Sequence, residues 1–275
     1  MKRVARAKIN LSLRIIGKRP DGFHEIDTLI APIDLADDLS IDDAPSFAFT
    51  CSDSNLPTDD SNLAVRATRL FGERTGRPIH VHVHLEKRIP HGAGLGGGSS
   101  DAAAVLLALN ERENDALSPA DLHALAAQLG SDVPFFLYDS AARCRGRGEI
   151  VEPCKIQVPY RLLLAKPPFP VPTPWAFKQW QDSKELPDVS YGPQRLAWGD
   201  LVNDLERPVF EKYLLLAALK TWWLDQPEVA GALMSGSGST SFALLHGSAS
   251  MEELESRTRA EFGDDFWYCQ SKFAF

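Results

Sequence analysis

The sequence predicts an α+β fold in two lobes, and three observations carry that expectation. Stretches with the period of a strand are interleaved with helical runs in no regular βαβ order. A glycine cluster at 92–98 empties directly into a helix. A proline-rich segment at 167–174 interrupts regular structure and should run extended. At 275 residues, 44% hydrophobic and 24% charged, the chain can bury a core as one large domain or two ordinary ones. The boundary is expected near 150–158, dividing an N-terminal lobe, 1–155, from a C-terminal α+β lobe, 156–275.

Ile9, Leu11, Leu13 and Ile15 alternate with Lys8, Asn10, Ser12 and Arg14, the pattern of a half-buried strand. Lys8 and Asn10 then project from the face opposite the apolar one; a lysine there is ordinarily solvated. Arg19-Pro20-Asp21-Gly22 is a turn, because proline presets φ and glycine accepts positive φ. A strand returns over 23–33, and 39–41 and 47–50 are shorter strand candidates before a polar loop at 52–61. Asn62 caps a helix that carries Leu63, Ala67, Leu70 and Phe71 on one face and ends at Gly76. Residues 79–85 form a strand with His80, His82 and His84 on one face. That spacing suits metal ligation, but no further ligand cluster follows, and such histidines equally line a wetted sheet face.

Then comes Pro90-His91-Gly92-Ala93-Gly94-Leu95-Gly96-Gly97-Gly98-Ser99-Ser100, followed by Ala102, Val105, Leu106 and Leu109 at helical spacing. Glycines that open into a helix N-terminus present backbone N–H groups to an anion, so this stretch is read as a phosphate cradle rather than a linker. No lysine follows the glycines, which excludes the P-loop pattern. Gly92, Gly94 and Gly97 satisfy GxGxxG, but the next element is another helix, and the dinucleotide reading fails on that context.

The second helix has Ser118 at its N-cap and Pro119 at its first position, and Gly130 closes it. Ser131-Asp132-Val133-Pro134 follows, and Asp132 is either a candidate base or an N-cap. Strand patterning resumes over 143–166, with a turn at Arg145–Gly148. Beyond the prolines a short helix is expected over 175–181, helices over 200–224, and apolar segments over 229–245. Met234-Ser235-Gly236-Ser237-Gly238-Ser239 breaks those segments, as a hairpin turn or as a second wall of a ligand site. A helix over 250–262 and a strand over 266–274 complete the chain.

A net charge of −8 and a pI near 5.4 offer no basic field for nucleic acid or an anionic membrane. An anionic ligand must therefore be held by local groups. Cys51, Cys144, Cys154 and Cys269 form no CxxC pair, which suits a reducing cytoplasm. Neither a signal-peptide core nor an apolar run long enough to span a membrane is read, so a cytoplasmic protein is expected.

Taken together, Lys8–Leu11, Arg19–Glu25, the glycine loop, Ser131–Pro134 and Met234–Gly238 resemble the GHMP small-molecule kinases over essentially the whole chain. The triple glycine before Ser99-Ser100, with Arg19-Pro20-Asp21-Gly22-Phe23-His24-Glu25, is similar to the branch that phosphorylates 4-diphosphocytidyl-2-C-methyl-D-erythritol. The resemblance implies a nucleotide-binding first lobe, a substrate-side second lobe and an active site in the cleft between them. It implies ATP, with Mg²⁺ bridging its phosphates, held by residues 90–100, and Asn62 and Leu63 on the adenine side. It further implies Asp132 and Lys8 as the catalytic pair, Asn10 positioning the acceptor, and Phe23, His24 and Phe177 holding cytosine. A Lys beside the acceptor oxygen offsets charge that develops during transfer. No residue is marked as a direct metal ligand, and no oligomeric state is read. Ser131, where the branch usually has Ala, Phe23, where Tyr is frequent, and the polar Ser239-Thr240-Ser241 depart from the pattern and bear on substrate detail. Other GHMP kinases, acting on mevalonate, homoserine or a sugar, and a non-catalytic nucleotide-binding homologue are the alternatives.

Overall fold

The computed structural model describes residues 1–247 and 249–275. In chain order the elements are β1 (Lys2–Lys18), β2 (His24–Asp43), β3 (Ala48–Cys51), α1 (Leu63–Thr75), β4 (Val81–Glu86), α2 (Gly97–Arg112) and α3 (Pro119–Leu129). A 3-10 turn, Val133–Leu137, leads to β5 (Ala142–Gly146), β6 (Ile150–Pro153), β7 (Arg161–Lys166) and α4 (Thr173–Gln179). The remainder is β8 (Gln194–Leu196), β9 (Gly199–Asn203), α5 (Glu206–Lys212), α6 (Leu214–Leu224), β10 (Val229–Met234), β11 (Ser241–Leu245), α7 (Met251–Phe262) and β12 (Trp267–Lys272).

These make four layers: helix, sheet, sheet, helix. The first sheet runs β3-β4-β2-β1-β9-β8, with β5 and β6 joined to β2; the second runs β10-β11-β7-β12. Alternation along a strand decides which layer each side chain meets. On β7, Leu162 and Leu164 pack with Ala7, Ile9 and Leu11 of β1 between the sheets. Leu163 and Ala165 point the other way, against Leu219, Trp223 and Leu254 of α6 and α7. The outer face of the first sheet is covered by α1, α2 and α3 through Phe71, Val105, Leu106 and Leu125.

Several expected boundaries move, for identifiable reasons. The segment 39–41 is no separate strand, because β2 runs unbroken past an irregularity opposite Arg6–Lys8. The segment 200–203 is strand rather than helix: Ser12 and Leu13 of β1 take Val202 and Asn203 as parallel partners, and Leu201 and Val202 are buried there. The chain therefore returns to the first sheet well after residue 155. It returns again at its end, where Ser271 Oγ donates to Asp34 Oδ1 at 2.6 Å and Phe273 bridges Ile33. The helix caps fall as read, with Asn62 Oδ1 accepting the Ala64 N–H and Gly76 in the left-handed region at φ 66°.

Only two of the three histidines lie within the strand. His80 precedes β4 and bonds the Pro45 carbonyl, while His82 and His84 each meet Thr50 Oγ1 at 2.8 Å. No group of three or more His, Cys, Asp or Glu side chains that could hold a metal ion occurs among the described residues.

Candidate active site

β1 is irregular on both sides of Lys8 and Asn10, with register shifts at Arg6/Lys8 and Asn10/Ser12. Such interruptions free backbone groups and re-aim side chains. Here the Lys8 N–H donates to the Leu95 carbonyl at 3.0 Å, which seats the glycine loop on the strand. Lys8 and Asn10 do leave the face opposite Ile9 and Leu11, but neither is solvated; each is about 3% exposed. A buried ammonium needs partners. Lys8 Nζ donates to Asn10 Oδ1 at 2.7 Å, Asn10 Nδ2 donates to Thr28 Oγ1 at 2.8 Å, and Thr28 Oγ1 donates to the Ser12 carbonyl at 2.5 Å. Asp132 Oδ2 lies 3.6 Å from Lys8 Nζ, on a side chain still 38% exposed.

Asp132 occupies the N-cap position of the 3-10 turn, yet its side chain makes no capping bond. The N-cap reading of this carboxylate is thereby removed, and it is left facing the lysine. Gly130 ends α3 at the residue pair before it.

The glycine loop is held from two sides. Gly94 has φ 75° and Gly96 φ 71°, conformations that side-chain-bearing residues rarely adopt. The loop between β10 and β11 packs against it: Ser235 Oγ donates to the Gly94 carbonyl at 3.0 Å and the Thr240 N–H to the Ala93 carbonyl at 3.1 Å. A Cβ on Gly94 would sit 2.8 Å from the Gly238 carbonyl oxygen. Asn203, at the end of β9, holds that second loop in turn, donating to the Met234 and Gly236 carbonyls at 2.7 Å each. So Met234–Ser239 is both a hairpin turn and a wall of the site.

Together these elements enclose a cleft of about 790 Å³ between the two sheets' ends, within the usual span of ligand sites. Lys8, Asn10, Gly94, Gly96, Ser99 and Asp132 line it from one side, and Thr173, Phe177, Gly236 and Ser237 from the other. Phe23 and His24 also line it. The remaining loop residues are placed differently. Ala93, Leu95 and Ser100 are buried, Pro90 and Gly97 are half-buried, and His91, Gly92 and Gly98 face solvent. The N–H groups of Gly97, Gly98 and Ser99 begin α2 and have no partner within the helix. Leu63 approaches this helix start, 3.8 Å from where a Gly98 Cβ would lie. Asn62 spends its side chain on capping α1 and on the Pro57 carbonyl, at 2.8 Å.

His24 and Phe177 meet directly, ring centroids 5.3 Å apart and 30° from parallel. That contact leaves no room for a base between these two rings. A pyrimidine would have to stack on the outer face of one ring. Burial, aided by the charge of Lys18, pushes the His24 imidazole below its ordinary pKa, so it is neutral at pH 7 and can both donate and accept. Phe23 is half-exposed and carries the Arg147 guanidinium 4.8 Å above its ring.

Sequence reasoning missed Asn203, Thr28 and Thr173, whose Oγ1 bonds Ser237 Oγ at 2.7 Å. A lone polar residue carries no periodic signal, and their roles exist only once distant segments meet.

The stretch 62–140 matches the GHMP kinases N terminal domain. A protein of Methylacidiphilum infernorum (isolate V4) named 4-diphosphocytidyl-2-C-methyl-D-erythritol kinase is 48% identical over 247 residues, covering 88% of this chain and 85% of its own. One of the same name from Synechococcus sp. (strain JA-2-3B'a(2-13)) is 37% identical, with 97% and 92% covered. The chain belongs to this kinase family. A crystal structure of 4-(cytidine 5'-diphospho)-2C-methyl-D-erythritol kinase superposes with TM-score 0.78 at 38% identity, covering 98% of this chain and 99% of the other. A homoserine kinase from Cytophaga hutchinsonii superposes with TM-score 0.71 at 17% identity, a likeness of fold alone. The two-lobed α+β architecture of this kinase is thus that of the GHMP enzymes.

In this kinase the His24–Phe177 contact gives Phe177→Ala a definite expected outcome. If a pyrimidine stacks here, the acceptor KM should rise roughly 5–150-fold, the range for loss of about 1–3 kcal/mol of base stacking. ATP kinetics and melting temperature should stay near the parent's, because Phe177 is only half-buried. An unchanged acceptor KM in a stable variant would remove the cytosine-site assignment.

Proposed function

We propose that the protein transfers the γ-phosphoryl group of ATP to the 2-hydroxyl of 4-diphosphocytidyl-2-C-methyl-D-erythritol, a step of isoprenoid precursor biosynthesis in the cytoplasm. The observation that carries this reading is the meeting of three unlike features in one cleft. A glycine-lined helix N-terminus suits phosphates, the buried Lys8 beside the half-exposed Asp132 suits an attacking hydroxyl, and an aromatic pair in the same lining suits a pyrimidine.

Phosphoryl transfer asks mainly for alignment and charge stabilisation. The N–H groups of Gly97, Gly98 and Ser99 would hold the phosphates of ATP, with Asn62 and Leu63 toward the adenine. The acceptor hydroxyl would lie between Asp132 and Lys8. Asp132 takes or orients its proton, Lys8 offsets charge growing on the transferring group, and Asn10 keeps the ammonium in place. Magnesium carried by the nucleotide would supply charge neutralisation at its phosphates. Phe23, His24 and Phe177 would bind the cytosine; as neutral imidazole, His24 can pair with a polar edge of the base. That no helix among the described residues is long and apolar enough to cross a membrane accords with a diffusible substrate.

The deciding experiment is ADP release measured with ATP and one acceptor at a time. Release only with the cytidine diphosphate acceptor supports the proposal. Equal or faster release with mevalonate, homoserine or a hexose would move the protein to another GHMP activity, and none with any acceptor would leave a nucleotide-binding homologue.

A further inference from the structure

Beneath the glycine loop lies a charge cluster that the transfer chemistry does not use. Asp37 on β2, Lys87 just after β4 and Asp101 on α2 are all buried. Lys87 Nζ bonds both carboxylates, reaching Asp101 Oδ2 at 2.8 Å. Asp37 Oδ1 also accepts the backbone N–H groups of Arg88 and Ile89 at 2.5 and 2.8 Å. Those residues run straight into Pro90, while Asp101 lies one helical turn beyond Gly97. The cluster therefore grips the glycine loop at both ends. Lys87 Nζ is also 3.4 Å from the position of a Gly97 Cβ, so it sits against the first residue of α2.

The charges do not balance, since one ammonium faces two carboxylates. Asp37 has three donors. Asp101 has one, and its Oδ1 is buried without any partner. Of the two, Asp101 is the carboxyl left to take up a proton. Burial pushes it up to about 7, against the pull of Lys87 and with the help of Asp37. The other titratable groups nearby are Cys51 on β3, whose thiol burial holds in its neutral form, and Asp53 beyond it.

We propose that Asp101 is a positioning residue for the nucleotide, its ionised form weakening and its neutral form strengthening the hold of the Gly97–Ser99 N–H groups on phosphate. A helix N-terminus attracts anions through its partial positive charge. A carboxylate buried one turn inside opposes that attraction, and the low-dielectric surroundings screen it little. The inference rests on the reading of the glycine loop as the phosphate cradle, and it adds a control on that cradle from below.

The test is the dissociation constant of a non-hydrolysable ATP analogue at saturating magnesium, by titration calorimetry from pH 6 to pH 8.5. The wild-type protein should weaken by roughly three- to tenfold across that range as Asp101 ionises. Asp101→Asn should bind nearly independently of pH, close to the wild-type value at pH 6. Asp101→Ser, neutral and smaller, carries the same expectation should the first variant fail to fold. A purely structural role for Asp101 would shift affinity equally at every pH. A variant slope parallel to the wild type's, or a flat wild-type curve, overturns the proposal. Absence of binding at any pH would instead overturn the phosphate-cradle reading itself.

Discussion

Asp132→Asn is expected to leave nucleotide affinity near the parent's while turnover falls roughly 10²–10⁴-fold, the usual range for a lost general acid or base. The carboxamide matches the carboxylate in shape, so the backbone at the end of α3 has no reason to move. It can neither accept the acceptor's proton nor answer the ammonium of Lys8, which lies 3.6 Å away and is almost wholly buried. Because Asp132 makes no capping bond, the melting temperature should change little. That combination separates chemistry from folding. Single-turnover rates within a few-fold of the parent's would take Asp132 out of the mechanism, whatever its proximity to Lys8.

Gly96→Val is expected to raise the ATP KM by about 5–150-fold, as strain of about 1–3 kcal/mol in the loop is relieved only by moving it. At φ 71° a β-branched residue is disfavoured whatever space surrounds it. Space is also short: a Cβ at Gly96 would lie 2.7 Å from Phe136 Cζ and 3.1 Å from Lys8 Cγ. The Phe136 ring can swing aside; the Lys8 stem cannot move without disturbing Asn10 and Asp132. Gly96→Ala should fall between parent and valine, since it has the same φ with less bulk. Circular dichroism should match the parent's for both. Two folded variants with ordinary ATP kinetics would mean that the loop does not hold phosphate.

How far the sequence could be read depended on how local each signal was. The caps at Asn62, Gly76 and Ser118 are decided within four residues and were legible, as was the glycine loop opening into α2. The strand at 199–203 was not, because Val202 and Asn203 acquire their partners only when β1, nearly two hundred residues earlier, lies alongside. The same distance hid Asn203. Asp132 stood out from its place after the Gly130 stop, whereas the alternation around Lys8 alone suggested a solvated side chain; the partners that make its burial tolerable, Asn10 and Asp132, meet it only in the fold. The resemblance named His24 and Phe177 together, but their direct contact, which leaves no room for a base between them, was not legible.

The return of β9 to the first sheet, with β12 tied to Asp34 and Ile33 of β2, has a consequence for how the enzyme can be taken apart. The lobes are threaded through one another rather than strung in series. Cutting the chain at 155 would strip β1 of its parallel neighbour and leave the carbonyls of Ala93 and Gly94 without the donors that Thr240 and Ser235 supply. Neither half is thus a module that could be transplanted, and melting either lobe dissolves the seam that holds the other. The cleft is equally unsuited to a clamshell motion, because its two glycine loops are stitched to each other by backbone carbonyls. Traffic of substrate and product falls instead to the outer rim, where Phe23 and Lys178 are exposed and Arg147 lies over the Phe23 ring.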